Sequence, residues 1–432
     1  MSDKVIPIFI LDDRQVAKHS YRSIAALEFM CDALIDLDKS LRKYGSQLAV
    51  FNGVAEEVIT EVIQCTGAQA VFVNRDITPF SRSRDGSLHE QCKAAGINFY
   101  SCDDTMLHAP EIVVKKDGLP YTIFTPYYKS AIQLTVRQPA PIRFNKFTAL
   151  PVSKVLIISA ADLIATLKLQ RNPHLAVRGG RTAGLAILSR MGDYMNYNNT
   201  RDRPDQDGTT RLSAYLKFGC VSAREVWYTV HDSLGSTHPL CRQLYWRDFY
   251  YQIVWNFPRV FGAAFQQKYD QIKWKDNPAA FKAWHQGLTG FPLIDAGMRE
   301  LNRTGFMHNR VRMVVASFFT KDLHIDWRKG ERYFAQHLVD YDPAVNNGSW
   351  QWAASTGCDA QPYFRIFNPW LQQKKFDPDA IYIHRWVPEL NGLSASEIHN
   401  LLKQRPANLK YPMPIVDHAT ESAQARKYYA SC

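Results

Sequence analysis

Apolar positions in the first hundred residues alternate between two periods. Residues 5–11 (VIPIFIL) form an unbroken apolar run of strand length. Residues 24–44 then set Ile24, Leu27, Leu34, Leu37 and Leu41 at helical spacing and stop at Gly45, which suits the left-handed turn that ends a helix. The alternation continues with a strand at 48–51, a helix at 54–65 closed by Gly67, a strand at 70–74, a helix at 83–95 and a strand at 97–100. Short, continuously apolar strands separated by amphipathic helices predict a parallel, doubly wound α/β sheet. No GxGxxG follows any of these strands, so the dinucleotide fingerprint is absent.

The pattern changes after residue 130. Residues 131–178 read as a connector, broken by Pro139, Pro141 and Pro151 and holding a helix at 160–169. From Gly179 onward the chain is helical and aromatic, without alternation long enough for a second sheet. The predicted organisation is an α/β domain over 1–130, the connector, and an all-α domain over 179–432 that ends in a polar tail after about residue 406. No run of apolar residues is long enough to span a membrane, and the opening Met1-Ser2-Asp3-Lys4 leads into a strand without a signal-peptide cleavage site. The eight cysteines form no CxxC pair, so no metal site is expected and a reduced, cytoplasmic compartment fits.

Charge alters this picture. The net charge is +11, yet residues 1–140 hold 15 basic and 17 acidic side chains, leaving 37 basic and 24 acidic to the remainder. All ten tryptophans lie between Trp227 and Trp386. A basic, Trp-rich half suits a polyanionic partner with groups that stack on indole, although a solvated basic surface over a Trp-rich core has the same composition.

Polar chemistry concentrates in three stretches. In YNNTRDRPDQDGTTRLS (197–213), the hydroxyl-rich end opens a helical pattern, which suits either a phosphate or simple N-capping. QLYWRDFYY (243–251) interleaves aromatics with Arg247 and Asp248; stacking with phosphate contact and an aromatic core helix are both open. Over 307–319, Val311, Val314, Val315, Phe318 and Phe319 form one stripe, while Asn309, Arg312 and Met313 share another face. The following DYDPAVNNGSWQW (340–352) mixes acids, amides and two tryptophans with Pro and Gly, which predicts a polar pocket wall rather than a packed element.

Four segments, RDRPDQDGTTRLSAYLKFGCVS, QLYWRDFYY, TGFMHNRVRMVVASFFTKDLHIDWRKGERYF and DYDPAVNNGSWQWAASTGCDAQPYFRIFNP, resemble the DNA photolyase/cryptochrome flavoprotein family, and within it the class I cyclobutane pyrimidine dimer photolyases. They cover most of residues 197–370, with weaker similarity elsewhere. The resemblance implies a Rossmann-like parallel α/β domain joined to an all-helical FAD-binding domain. It implies a carbon–carbon lyase in which light-driven electron transfer from reduced FAD splits dimers in UV-damaged DNA, working as a monomer in the cytoplasm or at the nucleoid. Tyr197, Thr209, Thr210, Arg211, Leu212 and Ser213 would hold FAD, with the hydroxyl-rich turn at its pyrophosphate. Asn309, Arg312, Asp340, Tyr341, Asp342 and Asn346 would surround the flavin ring, Asn346 near its N5 and Arg312 paired with Asp340. Trp350, Trp327 and Trp274 match the family's electron-transfer chain from flavin to surface. Trp246 and Trp352 would clasp the extruded dimer, with Gln243, Asn309 and Met313 touching it, and Arg201, Arg247, Arg310 and Gln372 would contact DNA.

The chain departs from the family in several places. The family's opening strand and WFRRDLRLxDN segment have no counterpart before residue 5, and that strand is central, so either the chain starts late or the sheet is rearranged. Phe80 and Ser81 stand where folate-binding members carry Asn and Glu, which argues for another antenna chromophore or none. Gln243 replaces a dimer-binding Glu, as in six-four photolyases and animal cryptochromes; those six-four enzymes use histidines where this chain has Asn309 and Met313, so the cyclobutane substrate is retained. Phe306 replaces a Trp, read as a packing change. The alternatives are a cryptochrome-type blue-light receptor without repair activity and a photolyase of altered lesion specificity.

Overall fold

A computed structural model describes residues 4–141, 146–150 and 157–432. Strands β1 (Ile8–Leu11), β2 (Ala49–Asn52), β3 (Ala70–Asn74) and β4 (Asn98–Cys102) alternate with helices Ile24–Arg42, Ala55–Thr66 and Pro79–Ala94. Ser23 and Thr78 cap the first and third of these helices through their hydroxyls, and Gly67 closes the second at φ 64°. The third starts earlier than predicted, because Pro79 occupies its first turn, where a missing N–H leaves no bond unmade.

The named strands pair in parallel, but the sheet is divided. β1 pairs with β2, Ile8 opposite Ala49, and β3 pairs with β4, Ala70 opposite Asn98; no ladder joins the two pairs among the described residues. The doubly wound sheet of the sequence reading is thus split, with its parallel sense retained. Within the connector a short 3-10 turn (Ala160–Asp162) and helix Leu163–Thr166 form, less than predicted, while Pro151 lies outside the described residues.

Beyond Cys102 the named elements among the described residues are helical, and they build two main cores. One unites Phe29, Leu107, Phe124 and Tyr127 with Tyr215, Val226, Leu244 and Phe249, so the segment after β4 packs on the helical half. The other surrounds Trp284, Val311, Phe318, Phe319, Trp327, Phe334 and Trp350.

Two expectations are corrected here. Residues 340–352 are not a loop-like wall, because Pro343–Ala353 is a buried helix. Asp342 accepts hydrogen bonds from the N–H groups of Ala344 (3.0 Å) and Val345 (3.2 Å), Pro343 sits in the first turn, and Gly348 admits the Tyr250 ring where a Cβ would come within 2.1 Å. The polar tail after 406 is likewise anchored. Helix His418–Ala430 buries Ala425 and Tyr429, and its His418 and Glu421 pair with Asp322 and His324. Among the described residues, no helix is long and apolar enough to cross a membrane.

Candidate functional site

Three distant segments meet on one buried carboxylate. Arg312, from the first turn of helix Asn309–Lys321, reaches Asp340 at 3.1 Å and anchors its Nε on the carbonyl of Met307 at 2.7 Å. Ser213 donates to the same Asp340 oxygen at 2.6 Å. Beside them Arg211 adopts the left-handed backbone (φ 52°) and pairs with Asp207 at 2.9 Å, leaving its Nε buried without an acceptor among the described residues. Leu212 follows in the same turn, its N–H directed at the Thr210 hydroxyl at 3.4 Å; Thr209 adjoins it and Tyr197 is buried. The Arg211 and Arg312 guanidiniums both lie over the Phe306 ring, at 5.1 and 5.4 Å from its centre. Phe306 therefore supports both cations, a role its replacement of Trp did not signal.

Helix Pro343–Ala353 carries the next candidates. The Asn346 amide donates to the carbonyl of Glu331 (3.1 Å) and to its carboxyl (2.9 Å), leaving the amide oxygen as the atom available to a ligand. Tyr341 stacks on Tyr21. Asp342 turns away from this group: its carboxylate caps the helix and accepts from the Tyr251 hydroxyl. Glu331 escaped the sequence reading, since nothing local marks a carboxyl that burial raises from 4.5 to about 7. The folded chain then keeps a proton between pH 4.5 and about 7 that the unfolded chain has lost, so this group's contribution to stability falls as pH rises through that window. Glu331→Gln should flatten the stability profile over this range by up to roughly 3 kcal/mol, read from urea midpoints at pH 5 and 8. Equal pH slopes in both proteins would show that Glu331 ionises normally.

One turn after Asn346, Trp350 is buried against Gly330, where a Cβ would come within 2.2 Å of its ring. Its neighbours are Phe334 (5.0 Å), Phe319 (5.7 Å) and Trp284 (6.3 Å between ring centres). Trp327 is buried in the same core, and partly buried Trp274 packs against it, 6.3 Å from Tyr429.

The residues expected at DNA are more dispersed. Trp246 stacks on Phe124 at 3.6 Å, whereas Trp352 packs against the other core beside Phe367. Asn309 is exposed, and its amide lies 3.8 Å from the Met313 sulfur. Gln243 is half-buried and donates to Pro239 within its own helix. Arg310 pairs with Asp202 at 2.9 Å, Arg201 lies over Tyr197, and the Gln372 amide oxygen is buried without a partner among the described residues.

Arg247 does not face outward. Its side chain is 12% exposed and donates to the Thr105 carbonyl (2.6 Å) and the Tyr251 hydroxyl (2.8 Å). Fully buried Asp248 accepts from the Leu107 N–H at 2.8 Å, and burial raises its carboxyl to about 7. The pair ties helix Pro239–Asn256 to the segment after β4, so an outward phosphate contact is not compatible with this packing. Arg247→Ala should cost about 1–3 kcal/mol of stability by orphaning its partners. Unchanged urea unfolding with weakened DNA binding would return Arg247 to the DNA surface.

The donor set fits a flavin dinucleotide. Among the described residues the buried N–H groups of Arg211 and Trp350 have no acceptor, and the hydroxyl-rich turn lies beside the Arg312–Asp340 pair. Such donors complement an acceptor-rich ligand carrying phosphates and a polar ring.

The family model described as "DNA photolyase" matches residues 1–143, and that described as "FAD binding domain of DNA photolyase" matches residues 240–431. The deoxyribodipyrimidine photo-lyase of Synechococcus sp. is 35% identical, over 99% of this chain and 91% of that protein. Its namesake from Halobacterium salinarum is 36% identical, over 98% and 90%. An archaeal photolyase from Sulfolobus tokodaii, solved with two FAD molecules, superposes with a TM-score of 0.90 at 42% identity, over 100% of this chain and 94% of that one. A Synechocystis cryptochrome superposes at 0.88 with 28% identity, over 98% and 93%.

Proposed function

The chain belongs to the DNA photolyase family, and from that membership we propose that it is a deoxyribodipyrimidine photo-lyase acting on cyclobutane pyrimidine dimers in DNA. The observation that carries this reading is the meeting of Ser213 and Arg312 on the buried Asp340 carboxylate, within a chain related over its whole length to enzymes of that name. FAD held there in its reduced, photoexcited form would supply the electron that opens the cyclobutane ring.

The chain's own residues hold and orient. Tyr197 and the 209–213 turn bind the cofactor's phosphate side, with Arg211 contributing its unpartnered N–H. The Arg312–Asp340 pair flanks the ring, and Asn346, fixed by Glu331, offers it an uncharged acceptor. Trp246 and Trp352 stack against an extruded dimer, an arrangement worth about 1–3 kcal/mol per stacked base that offsets unstacking. Gln243 gives the lesion a neutral hydrogen bond, weaker than a carboxylate's. Arg201 meets phosphate, so binding weakens with salt. Trp350, Trp327 and Trp274 restore the reduced cofactor by passing electrons inward. We take the working form to be a monomer in the cytoplasm. The two FAD molecules of the Sulfolobus relative support a second chromophore here as well.

The test is loss of a defined thymine dimer from an oligonucleotide under blue light, with a dark control. Repair only in the light is expected. Flavin reduction by light with no dimer loss would favour the cryptochrome reading, to which the neutral Gln243 gives some support.

A further inference from the structure

We propose that Trp284 and Tyr333 form a second branch through which Trp350, once oxidised, is refilled from the surface. The proposal rests on the photolyase reading for the event that oxidises Trp350.

The geometry is continuous. Trp350 and Trp284 meet edge to face at 6.3 Å between ring centres, and Trp284 meets Tyr333 at 5.5 Å. Trp284 is fully buried, whereas Tyr333 is only partly buried and opens to solvent. Protonation favours the same direction. The indole N–H of Trp284 has no acceptor among the described residues, so its ring, once oxidised, keeps its proton and passes the hole on. The Tyr333 hydroxyl does have partners, the Asn302 side-chain oxygen at 2.7 Å and the His285 carbonyl at 3.3 Å. Its phenol is also raised to about 12 by burial, so it holds its proton at neutral pH until it is oxidised.

Nearby charge separates the two exits. His337 stacks on Tyr333 at 4.0 Å and His285 lies 5.5 Å away; burial lowers both imidazole pKa values, so both are neutral at pH 7. On the other route the Arg328 guanidinium stands 4.9 Å over Trp327, ion-paired with Asp270 at 3.0 Å and Asp326 at 3.2 Å. The steps balance: one electron passes from Trp284 to oxidised Trp350, one from Tyr333 to Trp284, and the phenolic proton of Tyr333 leaves to water. An added thiol then returns one hydrogen atom to the tyrosyl oxygen and becomes a thiyl radical.

The experiment uses FAD-loaded full-length protein with a thiol, followed by transient absorption and electron paramagnetic resonance. Trp274→Phe should keep at least about a tenth of wild-type photoreduction and show a neutral tyrosyl radical. Adding Tyr333→Phe, which removes one half-exposed hydroxyl and leaves the core filled, should abolish both signals; adding Trp284→Phe instead should do the same. Complete loss in Trp274→Phe alone, or equal photoreduction with and without Tyr333→Phe, would overturn the branch. Dimer repair by the wild-type protein with chemically reduced cofactor is measured in parallel. Repair without any photoreduction removes the branch and keeps the enzyme, whereas absence of repair removes the photolyase reading itself.

Discussion

Trp350→Phe is expected to stop light-driven reduction of bound FAD while sparing dimer repair once the cofactor has been reduced chemically. On the proposed reading Trp350 is the common first donor of both electron routes: it lies one turn from Asn346 and touches Trp284, and Trp327 shares its core. A phenyl ring fills most of the same space between Phe319, Phe334 and Gly330, so the fold should survive with a loss of about 1–3 kcal/mol. Phenylalanine is far harder to oxidise than tryptophan, so the route closes without the site being dismantled. The check is flavin absorbance under blue light with a thiol present, beside a repair assay started with dithionite. If photoreduction continues at the wild-type rate, Trp350 is not the first donor.

Asp340→Ala should cost the most in binding and stability. The Asp340 side chain is 4% exposed and receives both Arg312 and Ser213, so its removal leaves a half-buried guanidinium without a counter-charge. Breaking such a pair from one side costs about 3–5 kcal/mol. Purified Asp340→Ala should therefore carry little or no FAD and unfold at lower urea. Asp340→Asn, which keeps the Ser213 bond and loses the charge, should fall between it and wild type. Wild-type flavin content in Asp340→Ala would move the cofactor away from this carboxylate.

Much of the α/β half was legible because its signals are local. Residues 70–74 read as a strand and form β3 over the same range, and Gly67 ends its helix as its freedom at positive φ suggests. The split of the sheet was not legible, because strand pairing joins residues far apart in sequence. The helix Pro343–Ala353 was misread because its Pro and Gly look like breakers. The first sits in the opening turn and the second makes room for Tyr250, and both facts need the neighbouring helix. The same reason hid Glu331, Phe306 and Trp284, whose importance comes from partners on other elements. Arg247 was read from its neighbours in the motif, but Thr105 and Tyr251 decide where it points. The resemblance supplied the residues of the Asp340 cluster; the fold adds which atoms meet there.

The most direct measurement is the absorption spectrum of the purified full-length protein, with any released pigment identified after denaturation. The account predicts a yellow or blue protein carrying at least one FAD per chain, lost in Asp340→Ala. A colourless polypeptide that stays colourless after incubation with FAD would contradict it.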